Sequence, residues 1–145
     1  MSELAANSPA DRAEALIRLT DRLTALLDQE TACFEARKPH QAVSLQAEKT
    51  RLATIYRTET RLAAQDHSRL AGLGEALKTR LRENTARFEA ALARNGAAVE
   101  ALKNLTEGLV KALADEAARQ AQAKAGYGPS AAKASIGAIA CNQTA

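Results

Sequence analysis

The sequence predicts an all-α fold: an antiparallel bundle of three long helices, elongated and coiled-coil-like, followed by a flexible C-terminal tail. Three observations carry this expectation. From about Leu73 to Lys124 there is no proline, and apolar residues recur three and four apart at Leu73, Leu77, Leu81, Phe88, Leu92, Val99, Leu102, Leu105, Leu109 and Leu113. That is the spacing of one face of an amphipathic helix, on the order of 75 Å long if unbroken at 1.5 Å per residue. The chain is also rich in alanine, leucine, arginine, glutamate and lysine, the strongest helix formers, and no β-branched run reads as a strand. The only aromatics are Phe34, Tyr56, Phe88 and Tyr127, so the core has to come from leucine and alanine seams between helices.

The elements follow in order. Residues 1–8 read as a disordered leader that ends in a helix start, Ser8-Pro9-Ala10-Asp11. Ser8 can cap, Pro9 suits the first helical position and Asp11 favours the positive end of the dipole. A first helix is predicted over 9–37, with its stripe at Leu16, Leu19, Leu23, Leu26 or Leu27, Cys33 and Phe34. Glu30 falls on that stripe, where a leucine is expected. Either it lies at the edge of the seam and reaches outward, or it makes a fixed ion pair with the next helix.

Arg37-Lys38-Pro39-His40 then predicts a tight turn, because proline removes a helical hydrogen bond and pushes its predecessor out of the helical region. A second helix is expected over 39–71, with Val43, Leu45, Leu52, Ile55, Tyr56, Leu62 and Leu70 on its stripe. Glu48 and Arg51 offer a local ion pair within it. Residues 9–37 carry four basic and six acidic side chains, against six basic and three acidic in 38–70. Either that difference draws the two helices together or the charges are simply a mixed solvated surface.

Gly72 and Gly74 mark a second turn or a kink, each costing a helix about 1 kcal/mol relative to alanine. The third helix is expected over 75–124. Its polar interruptions are Asn84, Asn95-Gly96 and Thr106. Asn at a seam position fixes register, whereas Asn95-Gly96 would otherwise break the helix near 95–96. The first two helices are too short to cover this one, which leaves Val99, Leu102, Leu105, Leu109, Val110 and Leu113 without a partner within the monomer. From residue 125 to 145 small residues dominate a flexible tail, with Ile136 and Ile139 as isolated apolar anchors.

Several function classes are excluded as expectations. Lysine and arginine (20 in all) are interleaved with 17 acidic residues, with no basic block or aromatic platform for nucleic acid. Asp66-His67-Ser68 has the residue types of a triad, but three adjacent helical residues point in different directions. No phosphate loop or zinc spacing is present, and Cys33 and Cys141 are too far apart to suggest a metal motif or disulfide framework. The chain is therefore expected not to be an enzyme and to hold no cofactor. It shows no secretory signal and no membrane-spanning run, so it is expected in the cytoplasm.

Leu26-Leu27 followed by Glu30 and Phe34, the short turn at Lys38-Pro39, and Leu45 with Glu48-Lys49 and Leu52 resemble the FlgN family of flagellar export chaperones. Members begin with a leucine-rich helix bearing a glutamate and turn at once into a helix with two leucines flanking a Glu-Lys pair. They end in a long helix and a flexible tail that often opens with a tyrosine and a nearby glycine. Tyr127-Gly128 is similar, although Pro129-Ser130-Ala131 stands where a further glycine is usual. The resemblance covers most of the chain. It implies binding of the C-terminal segments of hook-associated proteins and their delivery to the flagellar type III export apparatus, by a monomer or weak homodimer. The expected contact residues are Val99, Leu102, Leu105, Leu109 and Leu113, with Ile136 and Ile139 on the tail. Two other classes fit the bare residues. One is a structural protein that dimerises through its third helix. The other is a phasin-like surface protein, against which the scarcity of bulky aromatics argues.

Overall fold

The computed structural model describes residues 4–126. Helix α1 spans Pro9–Glu35, α2 Gln46–Gln65 and α3 Glu75–Ala125, and no strand occurs among the described residues. The chain divides into two compact units, Met1–Leu102 and Lys103–Ala145. The first contains α1, α2 and α3 as far as Leu102. The second contains the remainder of α3, while the tail from residue 127 onward, with Tyr127, Ile136, Ile139 and Cys141, lies outside the described residues.

Local chemistry explains both ends of α1. Ser8 is extended and its hydroxyl accepts the Asp11 amide at 3.1 Å, with Pro9 and Asp11 in the first turn. At the other end Lys38 donates to the Cys33 carbonyl at 2.8 Å and Arg37 to Phe34 at 3.0 Å. This is a Schellman closure. It forces Arg37 to φ 58°, a left-handed conformation that glycine normally supplies.

The second helix is shorter than the 39–71 span the sequence predicts. Pro39–Leu45 is a 3₁₀ segment, opened by Gln41 donating three residues back to Lys38. After Gln65 the chain extends at Asp66, whose carboxylate accepts the Ser68 amide at 3.0 Å and starts a second 3₁₀ turn, His67–Leu70. That local bond competes with continuation of the helix. Gly72, at φ 69°, completes the turn into α3. By contrast α3 continues without interruption through Asn95-Gly96.

Within the first unit α1 is the central element. Leu16, Leu19, Leu23 and Leu27 form one buried cluster with Phe88 and Ala91 of α3, and Leu52, Ala53, Ile55 and Tyr56 of α2 pack against it half-buried. Tyr56 and Phe88 meet at 5.0 Å between ring centroids, tilted by 57°, one of the preferred offset arrangements. Leu4 also packs on this cluster, and its amide donates to Glu59. Part of the expected disordered leader is therefore in contact with the bundle.

Cross-helix ion pairs record the topology. Glu14 meets Arg80 at 2.7 Å, Asp21 meets Arg87 at 3.6 Å and Asp28 meets Arg94. Each partner lies 66 residues on, at heptad steps on both helices, so α1 and α3 run parallel. Arg12–Glu59, Arg22–Glu48 and Glu30–Gln46 descend along α2 as they ascend α1, so these two helices are antiparallel. Glu48 thus makes its ion pair with Arg22 of α1, at 2.7 Å, with the charge of Arg51 on its own helix a smaller influence. The acidic excess of α1 is met chiefly by the arginines of α3 rather than by α2.

Two polar knots are buried in the bundle. Glu30, 3% exposed, accepts Lys49 Nζ and Gln46 Nε2 at 2.7 Å from α2, and Asn95 Nδ2 at 3.0 Å from α3. Of the two readings the sequence allows, the fixed ion pair is the observed one. Glu59 accepts Arg12 of α1 and Arg69 of the second 3₁₀ turn, both at 3.1 Å. Asn84, buried on α3, donates to Asp21 and to the Ile17 carbonyl of α1. Asn84 and Asn95 are therefore seam residues bonded across it, the register-fixing role.

Burial pushes the Glu30 carboxyl upward, but hydrogen bonds from Lys49, Gln46 and Asn95, with the lysine charge, outweigh it and leave it below the ordinary glutamate value of 4.5. A folded-state pKa below the unfolded one means that the unfolded chain binds the proton more readily. The stabilisation is complete above about pH 4.5 and is lost as pH falls through the lower folded value. Glu30→Gln should flatten the acid limb of the stability profile, measured by urea unfolding between pH 3 and 6. Glu30→Ala, which takes the carboxylate from Lys49, should cost about 3 kcal/mol near neutral pH. Arg37→Gly should raise stability by about 1 kcal/mol in the same assay by relieving the left-handed residue.

Candidate partner-binding face

The second unit begins at Lys103 inside α3, and its helix is sustained by local chemistry. Alanine and leucine supply propensity, and Lys103–Glu107 (4.0 Å) and Glu116–Arg119 (2.6 Å) are pairs one turn apart. No proline interrupts it.

Along this helix Leu105, Leu109 and Leu113 are 45%, 60% and 63% exposed, and Val110 is 62% exposed. Steps of four place the leucines on one face. Single exposed leucines are ordinary, but a row of them is the usual sign of a surface that meets another apolar one. The other expected contact residues are distributed differently. Val99, 45% exposed, and Leu102, half-buried, belong to the first unit, and Ile136 and Ile139 lie outside the described residues. The structure therefore brings Leu105, Leu109 and Leu113 together with Val110. Glu116, seven residues beyond Leu109, and Gln120, seven beyond Leu113, continue the same face.

The remaining chemistry-bearing residues are accounted for structurally. Asp66 accepts the Ser68 hydroxyl at 2.5 Å as well as its amide, and these bonds hold its carboxyl below the ordinary value. It is a turn cap, and His67 beside it is exposed. Cys33 is a half-buried free thiol. Among the described residues no three His, Cys, Asp or Glu side chains cluster to hold a metal ion, and no helix is long and apolar enough to cross a membrane.

Fold and surface together define a helical-bundle protein whose last helix carries an exposed leucine row. No family model and no solved structure matches the chain. Over 122 residues, 84% of this chain and 82% of the relative, it is 41% identical to the flagellar basal-body protein FlbY of Caulobacter vibrioides. The chain belongs to the FlbY family. The relative is named for the flagellum, the setting that the resemblance to the FlgN chaperones implies.

Because Leu109 is 60% exposed, Leu109→Ala should change stability by less than about 0.5 kcal/mol. Phe88→Ala, in the buried cluster, should cost about 3–4 kcal/mol. Urea unfolding of the two variants checks the contrast.

Proposed function

We propose that the protein is a flagellar export chaperone: a non-catalytic, cytoplasmic binding protein that holds the C-terminal amphipathic segments of hook-associated proteins and hands them to the flagellar type III export apparatus. The observation that carries this reading is the exposed row Leu105, Leu109, Leu113 on α3. Its flagellar setting is supported by membership in the family of a flagellar basal-body protein. The Leu45, Glu48-Lys49, Leu52 pattern that resembles the FlgN chaperones supports the chaperone role.

The physical scheme is simple. An amphipathic segment that is disordered alone lays its apolar face on the row and becomes helical, a helix-on-helix mode of recognition. Ordering it consumes several kcal/mol of the contact energy, so the complex is specific and still releasable.

Calorimetric titration with C-terminal peptides of hook-associated proteins, alongside mass determination, tests the reading. One-to-one binding with a negative heat-capacity change is expected. The double variant Leu105→Glu/Leu109→Glu should lose binding at least a hundredfold while keeping its helix content by circular dichroism. Normal binding by that variant would refute the assignment. Absence of binding together with a stable dimer of the free protein would favour the alternative, a structural protein that dimerises through α3.

A further inference from the structure

We infer that the outward face of α2 is a docking surface separate from the leucine row, and that it takes an acidic helix of another protein on Arg51, Arg57 and Arg61.

The bundle sorts the charges of α2 by direction. Glu59 turns inward to Arg12 and Arg69, Glu48 to Arg22 and Lys49 to Glu30. What remains outward is basic. Arg51, Arg57 and Arg61 are exposed, and every other exposed residue of the helix is threonine, alanine or glutamine. Among the described residues none of the three arginines makes an ion pair. Arg51 feels the charge of Glu48 without a bond to it, because Arg22 takes both Glu48 oxygens, at 2.7 and 2.8 Å. The arginines of α3 differ: Arg80, Arg87 and Arg94 each meet a carboxylate of α1. One arginine row of this molecule therefore already seats an acidic helix, and α2 carries a row without that complement.

Thr50, Thr54, Arg57 and Arg61 follow at steps of three and four on one face, with Arg51 beside Thr50. From Arg51 to Arg61 the row covers about 15 Å, three turns of a facing helix. Thr54 and Thr60 donate their hydroxyls back to the Thr50 and Tyr56 carbonyls, both at 2.9 Å. Short uncharged side chains thus separate the arginines and let another backbone come close, where each guanidinium can fork onto a carboxylate.

Other occupants fit this face less well. It exposes no apolar side chain larger than alanine, so it has nothing to enter a lipid surface. Tyr56, the one aromatic of α2, is turned to Phe88 and offers no platform for bases. A second copy lacks the complement, because the α1 acids are paired and the exposed Glu83 and Glu89 of α3 alternate with Arg82 and Arg87.

The probe is a 21-residue alanine-based helical peptide with glutamates three and four apart, set against the same peptide with glutamine in their place. Titrated into the full chain at 50 mM salt, the acidic peptide should bind at least about tenfold more tightly, and raising salt to 300 mM should weaken it about tenfold. Arg51→Gln/Arg57→Gln/Arg61→Gln should lose at least about tenfold, with helix content unchanged by circular dichroism. Lys103→Gln/Lys111→Gln/Lys124→Gln removes the same charge from α3 and should leave binding within about twofold. Equal loss in both triple variants overturns the inference, since net charge alone would then explain the attraction. Equal binding of the two peptides, or of neither, overturns it too. A single-stranded oligonucleotide that binds more tightly than the peptide through the same arginines overturns it in favour of nucleic acid. A dimer of the free chain that the arginine variant dissociates overturns it in favour of a second copy. None of these outcomes bears on Leu105, Leu109 and Leu113.

Discussion

The carboxylate of Glu30 is the point at which all three helices are tied together. It lies on the apolar stripe of α1, yet it accepts a lysine and an amide from α2 and an amide from α3. Taking that charge out of water is unfavourable by itself, and only simultaneous arrival of its partners compensates for it. They arrive together in a single alignment of the helices, so the knot acts as an alignment device more than as a source of stability. A leucine seam alone tolerates sliding, because one leucine packs much like the next. Asn84, eleven residues before Asn95, supplies a second polar point on the same seam.

Around these buried points the exposed charges have a lesser part. Glu14–Arg80, Asp21–Arg87 and Asp28–Arg94 are solvent-exposed pairs, which are individually weak and screened by salt. Their value lies in repetition at heptad steps, which marks α3 as the parallel neighbour of α1. α2 contributes differently. Its apolar residues remain half-buried, and the one fully buried side chain it brings is Glu59, held by arginines from α1 and the following turn. The bundle is thus a leucine core on α1 with two flanking helices, each fastened by buried polar contacts.

Much of this was legible in the chain. Ser8-Pro9 and Arg37-Lys38-Pro39 mark the ends of α1 because capping and proline chemistry act within a few residues. The apolar stripe of α3 is visible because a 3.6-residue period persists over many turns. The 3₁₀ character of Pro39–Leu45 was not legible, since apolar residues at short steps fit either helix type over seven residues, and Val43 ends up exposed. Glu59 left a signal that could have been read. It stands three residues after Tyr56 and three before Leu62, on the apolar line, as Glu30 does on α1. Attraction between the first two helices was one reading of their charges, but that Glu48 takes Arg22 depends on the register of the assembled bundle. The leucine row at Leu105, Leu109 and Leu113 was readable because spacing puts the leucines on one face and the first two helices are too short to cover it.

The arginine ladder of α3 has a further consequence. The heptad position that reads Arg80, Arg87, Arg94 goes on to read Ala101, Gly108, Asp115. An acidic helix such as α1, displaced by one heptad toward the end of α3, would lose a rung, with Asp28 facing alanine. Two heptads on it would face glycine, and three heptads on it would face a like charge. The helix thus works as a graduated scale with one zero: it admits its own neighbour at a single setting and grows steadily less hospitable to it along its length.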